Sequence, residues 1–242
     1  MGFSRGVDIV TDNLMLYIDA GNRRSYPGSG TTVNNLMDNN TGTLVNGVAF
    51  SSDNQGYFDF DGTNDYINLG DKDAYTFGDG SDDDGMTVSA WVNMDDASGF
   101  SMASKYFNYA GEYQFYLATD DKLYWVVYDD SVGSYGAFEY ILTGVLTSLQ
   151  GDWINLVGTY DGRGGTTARN GLKIYINGVV QSVTTATYDT YVAMENTTLD
   201  LHMGRLNNGY ANGKIATVQL YKKELSAAEV LQNYNALKDR FI

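Results

Sequence analysis

Gly56-Tyr57-Phe58-Asp59-Phe60-Asp61-Gly62-Thr63-Asn64-Asp65-Tyr66-Ile67 is the stretch whose reading decides the fold. Phe58 and Phe60 alternate with Asp59 and Asp61, the period-two pattern of a strand with one face buried. The run then breaks on Gly62-Thr63-Asn64-Asp65, a cluster of turn formers, and resumes at Tyr66-Ile67. The same phrase recurs along the chain, as Thr87-Val88-Ser89-Ala90-Trp91-Val92, as Trp153-Ile154-Asn155-Leu156-Val157-Gly158-Thr159-Tyr160-Asp161-Gly162 and as Leu172-Lys173-Ile174-Tyr175-Ile176-Asn177-Gly178-Val179-Val180. In the last of these, Leu172, Ile174 and Ile176 share one face, and Asn177-Gly178 is the strongest two-residue hairpin signal. A second hairpin is predicted where Glu112–Leu117 and Lys122–Tyr128 flank Ala118-Thr119-Asp120-Asp121. With no helical pattern between them, these strands predict an all-β domain of two packed antiparallel sheets, a sandwich.

One segment reads as a helix. Ser226-Ala227-Ala228-Glu229 is a capping box, and Val230, Leu231, Tyr234 and Leu237 follow at helical spacing. Lys238 and Arg240 place cations where the helix dipole favours them. This short C-terminal helix is expected to pack across one end of the sandwich.

The 242 residues suffice for one large β domain, and 43% hydrophobic with 14% aromatic content, including 20 Tyr, can build its core. There is no Cys, which excludes disulfides and thiolate metal sites. No run reaches membrane-spanning length, and Met1–Asp8 lacks the apolar core of a signal peptide, so a soluble protein is expected. Thirty acidic against 15 basic residues give a net charge of −15. That balance argues against nucleic acid, whose binding needs Lys and Arg against phosphate, and favours a well-solvated surface.

Taken together and in order, the strand phrases resemble the concanavalin A-like lectin/glucanase superfamily, in its laminin G-like branch. The runs Leu14–Asn22, Arg23–Thr32 and Gly42–Phe50, with Leu225–Val230 and Asn233–Lys238, are similar to laminin G-like domains in structural proteins of tailed, especially marine, bacteriophages. The resemblance covers Leu14 to the C-terminus, so residues 14–242 are read as one jelly-roll sandwich domain and residues 1–13 as an N-terminal segment that tethers it. It implies a non-enzymatic virion structural protein, a decoration or fibre exposed on the particle, that binds host or environmental polysaccharide. Its implied partners are other virion proteins (capsid, tail or fibre), polysaccharide and further copies of itself, with no nucleic acid and no membrane. Two alternatives stay open, a purely structural particle component with no ligand and a carbohydrate-active enzyme with an unrecognised site.

The candidate chemistry follows from residue types. Glycosidases need two carboxyls across one glycosidic bond. The Glu-x-Asp-x-x-Glu pattern of the glucanase branch occurs nowhere, and Asp59 with Asp61 share a strand face without a Glu partner. His202 is the only histidine, and no Gly-x-Ser-x-Gly elbow accompanies it. No catalytic residues are therefore assigned. No cofactor is required, and calcium is the one cation whose oxygen ligands are plentiful, at Asp59, Asp61, Asn64 and Asp65. An Asx turn competes for those same side chains, and the loop Asp79–Asp84 reads as a solvated acidic turn. Relatives carry an acidic pair before the terminal helix where this chain has Ala216 and Thr217, which puts a family-type calcium site in doubt. Sugar recognition needs aromatic rings beside polar groups. The candidates are Tyr124 and Tyr128, which alternate opposite Leu123, Trp125 and Val127, and the loop aromatics Tyr106, Phe107, Tyr109 and Tyr135. Trp91 and Trp153 lie inside strands and are read as core or sheet-face residues.

Overall fold

The computed structural model describes residues 7–132, 136–187, 190–207 and 209–242. Two antiparallel sheets pack face to face, as the alternation predicts. The eight-stranded sheet runs in the order Val179–Val180, Leu172–Ile176, Trp153–Tyr160, Met86–Asp96, Asn212–Tyr221, Tyr57–Asp61, Ala49–Ser51, with Leu14–Asp19 also paired to Asn212–Tyr221. The nine-stranded sheet runs Val183–Thr187, Gly136–Leu142, Leu123–Asp129, Ala110–Leu117, Ser101–Phe107, Leu201–Met203, Tyr66–Gly70, Thr41–Val45, Thr32–Asn34. Both predicted hairpins form. Asn177 and Gly178 turn with φ of 51° and 79°, the left-handed pair that a tight hairpin of this type requires.

The core lies between the sheets. Val88, Ala90, Val92 and Met94 of one central strand meet Tyr113, Phe115, Leu123, Trp125 and Val127 of the other sheet. Trp125 buries its ring there and donates its indole N–H to the Thr159 carbonyl at 3.0 Å, which satisfies its polar edge.

The outer face of the eight-stranded sheet is covered as well. There Trp91 is 1% exposed, stacked on Phe241 at 4.5 Å and on Tyr234 at 5.7 Å, and packed with Ala216. Leu14, Val157, Tyr175, Tyr221, Leu225 and Val230 form an adjoining cluster. The helix Ala227–Leu237 therefore lies on a sheet face as a third layer, not across one end of the sandwich. Its capping box forms as expected, with Ser226 Oγ accepting from the Glu229 N–H and Glu229 reaching back to the Ser226 N–H. The buried helix face also differs from the apolar periodicity, because Leu231 is 45% exposed while Asn233 is buried. Asn233 earns that place by hydrogen bonding, since its Nδ2 donates to the Tyr221 hydroxyl and its Oδ1 accepts the Val10 N–H. Beyond the helix, Arg240 pairs with Asp19 at 2.7 Å and donates to the Asn54 and Gly56 carbonyls, locking the chain end onto the sheet.

Residues 1–6 of the N-terminal segment lie outside the described residues. The rest of it is docked, with Ile9 and Val10 against the outer-face cluster and the Asp8 carbonyl accepting from Gln232. Among the described residues, no helix is long and apolar enough to cross a membrane.

Candidate functional site

Among the described residues, the α-helix lies on the other sheet, and no α-helix covers the outer face of the nine-stranded sheet. Alternation places Leu123, Trp125 and Val127 inward, so Tyr124 and Tyr128 point outward from the same strand. Tyr124 stacks on Tyr116, its register partner across the ladder, at 5.3 Å. Tyr128 packs against Tyr106 at 4.6 Å and donates its hydroxyl to Gln114 Oε1 at 2.6 Å. Gln114 in turn donates to Ser104 Oγ at 3.1 Å. Ser104 is paired with His202, and His202 with Asn68. Asn68, His202, Ser104 and Gln114 thus make a polar row across four neighbouring strands, with tyrosine rings along it.

At the end of that row lies a cleft of about 310 Å³ lined by Tyr66, Asn68, Phe107, Asp200, His202 and Arg205, among others. Gly204, at φ 80°, turns the chain between His202 and Arg205, in a conformation that favours glycine. The Arg205 guanidinium lies over the Tyr66 ring at 5.0 Å and the Phe107 ring at 5.1 Å. Its Nε donates to the Asn207 carbonyl at 3.0 Å, which fixes its orientation. Asn68 is held at both ends, donating to Asp200 Oδ2 at 2.8 Å and accepting the Gly70 N–H at 2.7 Å. His202 meets the Tyr66 ring edge-on at 5.3 Å.

Burial, helped by the nearby Arg205 charge and opposed by Asp200, pulls the His202 pKa down to about 4 from its ordinary 6.5. The imidazole is therefore neutral at pH 7, able to donate and accept to a hydroxyl. Because the folded protein resists protonation that the unfolded chain accepts, stability is full above pH 6.5 and falls as pH drops toward 4. The loss reaches about 3 kcal/mol at its limit, on the linkage of about 1.4 kcal/mol per unit. Comparing His202→Gln with the parent by urea titration from pH 7.5 to 4 should show a shallower loss in the variant, its carboxylates being the same. Parallel curves would mean that His202 titrates normally.

A strap at Glu195–Leu199 separates this cleft from a second one of about 510 Å³. What pins the strap is a buried ion pair. Lys105 and Glu112, both fully buried, meet at 2.7 Å, and the same Glu112 oxygen accepts the Thr197 N–H and hydroxyl at 2.9 Å each. Lys105 also reaches Asp71 at 3.1 Å and Thr76 Oγ1 at 2.7 Å. Burial outweighs the ammonium beside it and leaves the Glu112 carboxyl above its usual range.

Of the aromatic candidates, the structure gathers Tyr106, Tyr124 and Tyr128 into the tyrosine row and puts Phe107 in the Arg205 cleft. Tyr109 stands 69% exposed at the tip of the hairpin between Ser101–Phe107 and Ala110–Leu117. Tyr135 lies outside the described residues. Tyr66, Asn68 and Arg205 escaped the sequence reading, and His202 was named there only as a lone histidine without a catalytic role, because strands distant in the chain bring them together. Their one advance signal was outward alternation in Tyr66-Ile67-Asn68-Leu69 and Leu201-His202-Met203.

At the acidic turn, Asp59, Asp61 and Asp65 line one cleft of about 380 Å³ together with Asp95, while Asn64 does not line it. Asp61 Oδ1 accepts the Thr63 N–H at 2.8 Å, the bond of an Asx turn. Asp95 is paired with Lys214 at 2.8 Å. Burial pushes the Asp59 and Asp65 carboxyls above their usual range. Among the described residues, no three His, Asp or Glu side chains are grouped so as to hold a metal ion. Ala216 packs against Trp91.

A laminin G-like family model, described as the concanavalin A-like lectin/glucanases superfamily, matches residues 61–231. No curated protein sequence matches the chain. Among solved structures, the binding domain of Paraclostridial Mosquitocidal Protein 1 is 13% identical with a TM-score of 0.67, covering 93% of this chain and 52% of that one. The Botulinum Neurotoxin serotype G binding domain is 16% identical with a TM-score of 0.63, over 92% and 50%. This chain therefore spans about half the length of the toxin binding domains it resembles. Domain 4 of AbnA, an extracellular arabinanase of Geobacillus stearothermophilus in complex with arabinotriose, is 16% identical with a TM-score of 0.59, over 92% of this chain and 98% of that domain. At these identities the likeness shows the fold.

Proposed function

Since the chain belongs to the concanavalin A-like lectin/glucanases superfamily, we propose that it is a non-enzymatic, lectin-like module that binds polysaccharide on the outer face of its nine-stranded sheet. The observation that carries this is the tyrosine row beside Gln114, Ser104, His202 and Asn68. Sugar rings offer C–H faces to aromatic rings, which the half-buried Tyr116, Tyr124 and Tyr128 supply, and hydroxyls to polar groups, which Asn68 and His202 supply at the wall of the adjoining cleft. Ser104 and Gln114 lie buried beneath the rings and hold them in place. The fold is shared with an arabinanase domain solved with arabinotriose, a domain of similar extent. Against catalysis stands the absence of the glucanase carboxylate pattern, and in the Arg205 cleft Asp200 is the one carboxylate lining the wall.

The resemblance to phage structural proteins supports placing this module on the exposed surface of a virion, with capsid, tail or fibre proteins as its partners and residues 1–13 as its tether. Electron micrographs of particles labelled at this protein test that placement.

Glycan arrays followed by calorimetry test the binding. Tyr124→Ala and Tyr128→Ala should each weaken binding of a positive glycan by about ten-fold or more, at 1–3 kcal/mol per lost aromatic contact. Binding that survives both substitutions would move the site elsewhere on the domain. A protein that binds no glycan would favour the purely structural alternative, and release of reducing ends from polysaccharide would favour the enzyme.

A further inference from the structure

In a chain of net charge −15, Arg205 is conspicuous for what it does not do. Most of the other cations whose contacts the structure shows are engaged with carboxylates, among them Lys105, Lys173, Lys214, Lys223 and Arg240. No carboxylate among the described residues pairs with Arg205. It is instead clamped between two aromatic rings, with Nε tied to the Asn207 carbonyl. Asn207 is tied down in turn, because its Oδ1 accepts the Asn108 N–H at 3.3 Å. Arg205 is the one cation among the residues lining the 310 Å³ cleft. A guanidinium held rigidly at a cleft wall is a fork for a planar anion, and its immobilisation has already been offset by folding.

We propose that this cleft recognises the carboxylate of an acidic sugar unit carried sparsely on an otherwise neutral glycan, with Arg205 as the carboxylate partner. The inference rests on the glycan-binding reading above and narrows it to a ligand class. Asn68 and His202 face the same space and suit the hydroxyls of that unit. The rest of the chain explains why the acid must be sparse. Asp200 stands in the same wall, and the surrounding charge repels a dense polyanion at separations up to a Debye length of about 8 Å in physiological salt. A single carboxylate delivered into the cleft meets the fork without bringing its like-charged neighbours against the acidic surface.

The test is an array of glycans printed in pairs, each acidic member beside its carboxyl-reduced counterpart, with sulfated glycans as a separate group. The expected result is that hits fall on the native acidic members and weaken at least about ten-fold on reduction, the scale of a charge-assisted hydrogen bond. Arg205→Gln should bring native and reduced members to the same affinity, and Arg205→Lys should restore only part of the difference. Equal binding of native and reduced members by the parent protein would overturn the inference while leaving glycan binding standing. Preference for sulfated members would overturn it too. No binding to any member would overturn both readings. Should Arg205→Gln fail to fold, the reduced-glycan comparison decides alone, since it needs no variant.

Discussion

Lys105→Met is expected to destabilise the protein by about 3–5 kcal/mol, the usual consequence of leaving a buried charge without its partner. The substituted side chain would fill the same volume, so packing contributes little to that loss. What remains is Glu112, fully buried, with Thr197 as its only partner among the described residues and an Oε2 that has none among them. At 242 residues, each kcal/mol shifts the melting temperature by about 2–4 °C, so a fall of about 10 °C is expected. The double variant Lys105→Met/Glu112→Leu should recover more than half of that, because it removes the stranded charge along with the pair. It should nonetheless loosen the strap at Thr197, so the glycan affinity of the double variant should fall below that of the parent. A single-variant loss below about 1 kcal/mol would show that the pair carries little weight, and a double variant no better than the single would show that charge stranding is not the cause.

Trp91→Ala should cost a similar amount, about 3–5 kcal/mol, for a different reason. Trp91 is the anchor on which the C-terminal helix and Phe241 rest, and its removal opens a cavity between layers that cannot collapse onto a flat sheet. Hydrogen exchange should rise across Ala227–Leu237 while the strands of the sandwich core keep their protection, since those strands make none of their inter-sheet contacts through this face. Trp91→Phe should be much milder, because it keeps most of the ring and removes an indole N–H that has no hydrogen-bond partner among the described residues. Unchanged exchange across the helix in Trp91→Ala would mean that the helix is held by its other contacts, through Val230 and Asn233.

The glycan-facing row and the helix layer differ sharply in how far the amino-acid order reveals them. Tyr124 and Tyr128 were legible because alternation assigns a face to every second residue, and that rule operates within a single strand. Arg205 and Tyr66 were not, since each is unremarkable beside its own neighbours in sequence, and His202, though the only histidine, showed no partner there. The burial of Lys105 and Glu112 was equally hidden, because nothing local distinguishes them from solvated surface charges. Trp91 was placed on a sheet without its cover, and Asn233 broke the apolar periodicity because its partners come from Val10 and Tyr221.

By itself, then, the amino-acid order determined the strand phrases quoted above, the two hairpins, the capped helix and, within those strands, which side chains share a face. All of these are set by interactions within a few residues, whether a period of two, an Asn-Gly turn or a capping box. Only the tertiary structure decided which outward faces stay open and which are covered. It also decided which distant strands stand side by side, since strand order follows from long-range pairing and packing that leave no local trace. The cleft at Arg205 belongs to that second class. It exists because Tyr66–Gly70, Leu201–Met203 and Ser101–Phe107 became neighbours in one sheet.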